Sequence, residues 1–248
     1  MAKKDRTGNR KPREQKKQFK VPELGYYLIV TDTEATERCF FNGLHQALPE
    51  EVRNKLVIKV VETKTRAMID KCQELTAYEA QYRIPWIVFD RDQVQGFDDI
   101  IAEAKRKDIE VGWSNPCFEI WMYAYFGAMP AIQDSWTCCS EFGRIYESKT
   151  GQKYSKADEK MYGKLCMAGD EKKAIQIAQQ KLAQCERDDK KKPSEMCPCT
   201  TVYKLVAEIR GKRKEEFLKM GSSVTFICNI ISRKLLWKNV KIIYRALN

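Results

Sequence analysis

An α/β domain on a parallel sheet, with helices on both faces and a helical C-terminal elaboration, is the fold class that this sequence predicts. Three observations predict it. Apolar runs of strand type recur four times between residues 26 and 113. Segments with helical spacing separate them at intervals too long for hairpins, so successive strands must cross over and lie parallel. The runs are also almost continuously apolar, as strands covered on both faces are.

The first strand is Tyr26-Tyr27-Leu28-Ile29-Val30, aromatic and β-branched. Thr31-Asp32-Thr33-Glu34 closes it with helix-start chemistry, and Phe40, Phe41 and Leu44 give the next helix its apolar face. A second strand, Leu56 to Val61, precedes a helix over 65–82 with Met68, Ile69, Cys72 and Leu75 on one side. Pro85-Trp86-Ile87-Val88-Phe89-Asp90 is the third strand, and Phe97, Ile100, Ile101 and Ala104 mark a short helix after it. Ile109 to Trp113 reads as a fourth strand. From Asn115 the pattern turns helical, over Cys117–Phe126, Ala157–Met167, Asp170–Cys185 and Thr200–Ile209, with a charged loop at Asp188–Ser194. The organisation is thus a basic leader at 1–22, an α/β core at 23–114, a helical elaboration at 115–210 and a basic tail at 211–248.

The formal charge of +11 is concentrated at the ends. Residues 1–20 hold nine Lys/Arg against Asp5 and Glu14, and residues 211–248 hold nine against Glu215 and Glu216. The middle is slightly acidic. Basic ends suit a polyanion, through Lys16, Lys17 and Lys20 among others, although a basic run can equally be a solubilising tail. The tail reads either as an extra strand with a basic helix or as sequence foreign to the ancestral domain. The longest nearly uncharged stretch, Ile120 to Gln133, is shorter than the roughly 20 residues of a spanning helix, so no membrane is expected. Ten cysteines accompany one histidine, His45, without a Cys-x-x-Cys pair. Scattered thiols and a leader without an apolar segment point to reduced, buried cysteines in a cytoplasmic protein, with no structural zinc.

Asp90-Arg91-Asp92 ends the third strand. Carboxylates two apart on an extended backbone point the same way, and strand C-termini are the ligand side of an open α/β sheet. Two close carboxylates call for a hard cation such as Mg²⁺, or else form a polar strand exit. A second acidic cluster, Asp32, Glu34 and Glu37, follows the first strand. If the two strands are neighbours, Asp32 could share an ion with Asp90 and Asp92; helix capping also accounts for Thr31 to Thr33. Glu119, on an otherwise apolar helix, needs a partner if buried and is either a further ligand or half of a salt bridge. Lys156 and Lys164 are candidate phosphate contacts or solvated lysines.

The run Tyr27 to Glu37 followed by Phe40-Phe41, then Val88 to Asp92, then Asn115-Pro116-Cys117-Phe118-Glu119-Ile120-Trp121, resembles the RloB family. Pro198 to Val206 resembles that family's C-terminal helix, so the likeness covers about residues 24–210. RloB-like proteins are similar to Toprim-domain nucleases of bacterial restriction and phage-defence loci. The resemblance implies a Toprim-like parallel-sheet fold and a metal-dependent phosphodiester nuclease acting on DNA or RNA with Mg²⁺ or Mn²⁺. It further implies an ATPase of the same locus as a partner. Asp90 and Asp92 match the metal pair, and Asp32 takes the position of a glutamate that handles protons. Asp32-Thr33 stands where the pattern has Glu-Gly, so the expectation is weakened cleavage, with Glu34 and Glu119 as alternative catalytic acids. Two rival readings remain: a degenerate module that binds nucleic acid or an ATPase, and a haloacid-dehalogenase-type phosphatase using Asp90 and Asp92.

Overall fold

A computed structural model describes residues 22–32, 35–78, 83–92 and 94–212. Lys16, Lys17, Lys20 and Glu34 lie outside the described residues, as does the basic tail beyond residue 212. The elements in order are β1 (Gly25–Thr31), α1 (Ala35–Gln46), α2 (Glu50–Arg53), β2 (Leu56–Glu62), α3 (Met68–Tyr78) and β3 (Arg83–Asp90). They continue with α4 (Phe97–Arg106), β4 (Glu110–Asn115), α5 (Glu119–Tyr123), α6 (Ser135–Thr150), α7 (Met161–Ala168), α8 (Glu171–Arg187) and β5 (Cys199–Thr200). A last helix, α9, covers 202–212.

The strands lie in the order β2-β1-β3-β4-β5. The first four are parallel, as the sequence predicts, and β5 adds an antiparallel edge through Thr200 beside Ser114 and Cys199 beside Asn115. The sequence reading began a helix at Thr200; instead its hydroxyl donates to the Trp113 carbonyl at 3.0 Å and helps to hold the chain against β4. Helix α6 is also new. Asp134 caps it by accepting from the Thr137 N–H at 2.8 Å, and Cys138, Phe142 and Tyr146 form its buried stripe.

Alternation along the strands builds two cores. Tyr27 and Ile29 of β1, with Trp86 and Val88 of β3, pack with Phe40, Phe41 and Leu44 of α1 and with residues of α5 to α9. Leu28, Val30, Ile87 and Phe89 pack on the other side with Met68, Ile69 and Cys72 of α3 and Phe97, Ile101 and Ala104 of α4. Helices therefore cover both faces. Phe40 is the hub of the first core, with edge-on ring contacts to Phe41, Phe118, Trp121, Tyr125 and Tyr162. Helix α1 also meets α7 at Gly43, where a Cβ would stand 2.6 Å from the Tyr162 Cβ. The position of α1, and so of its first turn beside the strand ends, is fixed by both contacts.

Candidate active site

The register of the sheet brings the acids together. Thr31 lies beside Val88, so the exit of β1 stands next to the end of β3 and Asp32 leaves the sheet beside Asp90. Asp92 follows a turn held by the Arg91 N–H on the Ser114 carbonyl at 2.9 Å and the Asp92 N–H on the Pro116 carbonyl at 3.0 Å. Asp32, Asp90 and Asp92 line one cleft of about 480 Å³, together with Glu37, Lys64, Thr65, Arg66, Val94 and Gln95. The cleft opens at the carboxyl ends of the parallel strands, where connections diverge and leave room for a ligand.

Each wall has its own chemistry. Glu37 is buried in the first turn of α1, where unsatisfied N–H groups give a positive potential that favours a carboxylate. Asp90 Oδ2 accepts the Phe118 backbone N–H at 3.3 Å, which ties the end of β3 to the turn before α5. The Thr65 hydroxyl donates to Asp32 Oδ2. Thr65 follows β2, and β2 lies on the opposite side of β1 from β3, so this bond anchors Asp32 on the side away from Asp90. Lys64 and Arg66 leave the same strand end, and Arg66 Nη2 donates to Gln95 Oε1 at 3.1 Å. The sequence reading passed over Lys64, Thr65 and Arg66. Their signal was available, because they follow a strand end just as Asp32 and Asp90 do.

The other expected residues lie elsewhere. Glu119, in the first turn of α5, is buried and accepts the Tyr154 hydroxyl at 2.7 Å; it is not among the residues lining the cleft. Burial, and then the Glu119 charge, push the Tyr154 hydroxyl far up in pKa, so Tyr154 is a neutral donor. Lys164 donates to Asp158 at 2.7 Å. Burial raises the Asp158 carboxyl, but the Lys164 bond, the Lys160 backbone N–H and the charges of both lysines outweigh it and hold the group below its ordinary value. Lys164 is thus engaged in an internal ion pair. Lys156 is exposed on the loop between α6 and α7 and does not line the cleft either.

Asp90 and Asp92 offer the oxygen donors that Mg²⁺ or Mn²⁺ takes, in the number typical of Mg²⁺ sites completed by water and phosphate oxygens. The donor chemistry therefore fits the ion that the sequence implied. Among the described residues, however, no three carboxylates of the cleft bring ligand oxygens within 4.8 Å of one another. The cleft is a wall of acids facing Lys64 and Arg66, a combination suited to holding a dication beside a chain of phosphates. Among the described residues, no helix is long and apolar enough to cross a membrane. A family model described as RloB-like protein matches residues 27–209. No curated protein and no solved structure matches the chain.

Proposed function

The chain belongs to the RloB-like family, and from that premise we propose that its strand-end cleft binds nucleic acid with Mg²⁺ or Mn²⁺ and cleaves phosphodiester bonds. The observation that carries this reading is the meeting of Asp32, Glu37, Asp90 and Asp92 with Lys64 and Arg66 on one cleft. Asp90 and Asp92 would hold the ion, which would supply stabilisation of the charge that develops in phosphodiester cleavage. Lys64 and Arg66 neutralise flanking phosphates, and Asp32, oriented by Thr65, takes up or returns the proton. Its carboxylate ends one methylene short of a glutamate's, and a misplacement near 1 Å can cost on the order of a hundredfold in rate, so cleavage is slow. We further propose a role in phage defence in the bacterial cytoplasm, with an ATPase of the same locus as partner, a reading that the family membership supports without testing.

The test incubates the native chain, Asp90→Ala/Asp92→Ala and Asp32→Glu/Thr33→Gly with labelled DNA and RNA in Mg²⁺ and in Mn²⁺. Weak native cleavage, lost in the first variant and raised in the second, is the expected result. Robust cleavage that survives Asp90→Ala/Asp92→Ala overturns the reading. The Thr65–Asp32 bond favours a second reading, a binding module without catalysis, because it engages the one acid placed to move a proton. Retained binding with no cleavage by either the native or the Asp32→Glu/Thr33→Gly protein would establish that reading instead.

A further inference from the structure

We propose that Cys117, Glu119 and Cys139 form a second metal site, specific for a thiophilic dication of the zinc class and distinct from the acidic cleft. Among the described residues they are the group of three or more His, Cys, Asp or Glu side chains whose ligand atoms all lie within 4.8 Å of one another. Cys117 and Glu119 come from the turn after β4 and the first turn of α5, and Cys139 comes from α6. Such a site departs from the sequence reading, which expected no structural zinc. Twenty-two positions separate the two thiols, and only the packing of α6 against α5 brings them together.

The geometry and the chemistry agree. The two sulfurs are 3.9 Å apart; tetrahedral zinc with bonds of about 2.3 Å separates its sulfur ligands by about 3.8 Å. Glu119 supplies an oxygen, which zinc accepts beside thiolates. The fourth position of a tetrahedral shell is left for a water. Without an ion the arrangement is costly. Glu119 is 2% exposed and accepts the Tyr154 hydroxyl at 2.7 Å. A carboxylate buried beside two neutral thiols gains from a dication that all three can share. Binding a dication releases the two thiol protons, so the three ligands and ion together carry the single negative charge that Glu119 carried before. That charge is then spread over a coordination shell.

The site borders the cleft without belonging to it. Phe118 lies between Cys117 and Glu119, and its N–H holds Asp90. An ion that fixes residues 117–119 against α6 therefore fixes the donor that orients a cleft aspartate. Mg²⁺ does not compete for the site, because thiolates are poor ligands for a hard cation.

The experiment purifies the full chain without chelator, measures its zinc content by mass spectrometry, and titrates chelator-treated protein with Co²⁺. One equivalent of zinc per chain, and a thiolate-to-cobalt charge-transfer band with intense tetrahedral visible bands, are expected. Cys139→Ser, half-buried and tolerant of a hydroxyl, should lose the charge-transfer intensity while keeping the native circular dichroism; Cys117→Ser should lose it too. Cys166→Ser and Asp90→Ala/Asp92→Ala should leave it intact, the latter separating this site from the proposed nuclease cleft. Absence of bound zinc together with absence of the Co²⁺ band, a band that survives both serine substitutions, or a Cys117–Cys139 disulfide in freshly purified protein would overturn the proposal.

Discussion

Replacing Lys64 and Arg66 with alanine removes both cations that line the acidic cleft and leaves its carboxylates in place. If the cleft holds a duplex by its phosphates, each cation contributes about 0.9 to the slope of log affinity against log salt, so the double variant should lose about 1.8. Over a fourfold rise in salt, from about 50 to 200 mM, the variant should then lose about twelvefold less affinity than the native chain. For a single strand the same reasoning gives a slope change of about 1.4 and about a sevenfold difference. The assay is fluorescence anisotropy with labelled duplex and single-stranded DNA at fixed low Mg²⁺ and increasing KCl. The basic leader, with its nine Lys/Arg in twenty residues, acts equally on both proteins and cancels from the difference. A matched double variant of Lys190 and Lys192, which lie in a charged loop outside the cleft lining, controls for net charge. An unchanged slope in Lys64→Ala/Arg66→Ala, or an equal change in the control, would show that phosphates do not bind in this cleft.

Two further predictions concern the scaffold. Gly43→Ala gains about 1 kcal/mol of helix propensity but places a Cβ 2.6 Å from the Tyr162 Cβ, an overpacking that costs about 1–3 kcal/mol; Gly163→Ala, with nothing within 4 Å, keeps only the gain. Urea denaturation should show Gly43→Ala less stable and Gly163→Ala more stable than native, and the same sign for both would refute the packing argument. His45 is the chain's single histidine, and burial lowers its pKa, with the nearby Arg53 charge acting in the same direction and a backbone bond to Leu56 opposing. The unfolded chain therefore binds this proton at a higher pH than the folded one, so stability falls as pH drops through the ordinary histidine range of about 6.5. His45→Asn should flatten the dependence of melting temperature on pH between about 7.5 and 5.5, and an equally steep dependence in the variant would assign it to other groups.

The four parallel strands were legible because each is a short apolar run with its own turn chemistry, and that pattern already implies two covered faces. Asp90 and Asp92 were legible for the same reason, as the ends of an emphatic strand. Helix α6 was missed although Asp134 and Gly151 mark its two ends, because its stripe of Cys138, Phe142 and Tyr146 is interrupted by polar residues. Lys64 and Arg66 follow a strand end as Asp32 and Asp90 do, but were missed because only the sheet order places that end opposite an aspartate. Cys117 and Cys139 depend wholly on tertiary packing. Spacing along the chain carries no trace of their approach. Lys164 shows the reverse error, since a lysine among polar residues gave no sign that Asp158 would occupy it.

Whether Asp32 shares an ion with Asp90 and Asp92 turns on Thr65. An octahedral Mg²⁺ with bonds of about 2.1 Å keeps even its opposite ligand oxygens within about 4.2 Å of each other. No three carboxylates of the cleft meet the looser limit of 4.8 Å among the described residues, so these three aspartates do not hold one ion as they stand. The reason is visible in the sheet order: Asp90 and Asp92 follow β3, whereas the Thr65 hydroxyl anchors Asp32 on the β2 side. A hydrogen bond to a charged group contributes about 1.5–3 kcal/mol, enough to keep the shorter carboxylate where it is. Asp32→Ala should therefore leave Mn²⁺ affinity within about threefold of native, a change below about 0.7 kcal/mol, while Asp90→Ala/Asp92→Ala abolishes binding. Thr65→Ala should release Asp32 and tighten Mn²⁺ binding, and that gain should vanish in Thr65→Ala/Asp32→Ala. Isothermal titration of the native chain and these four variants decides the matter. Loss of affinity in Asp32→Ala alone would mean that Asp32 already ligates the ion and that Thr65 orients it for that task.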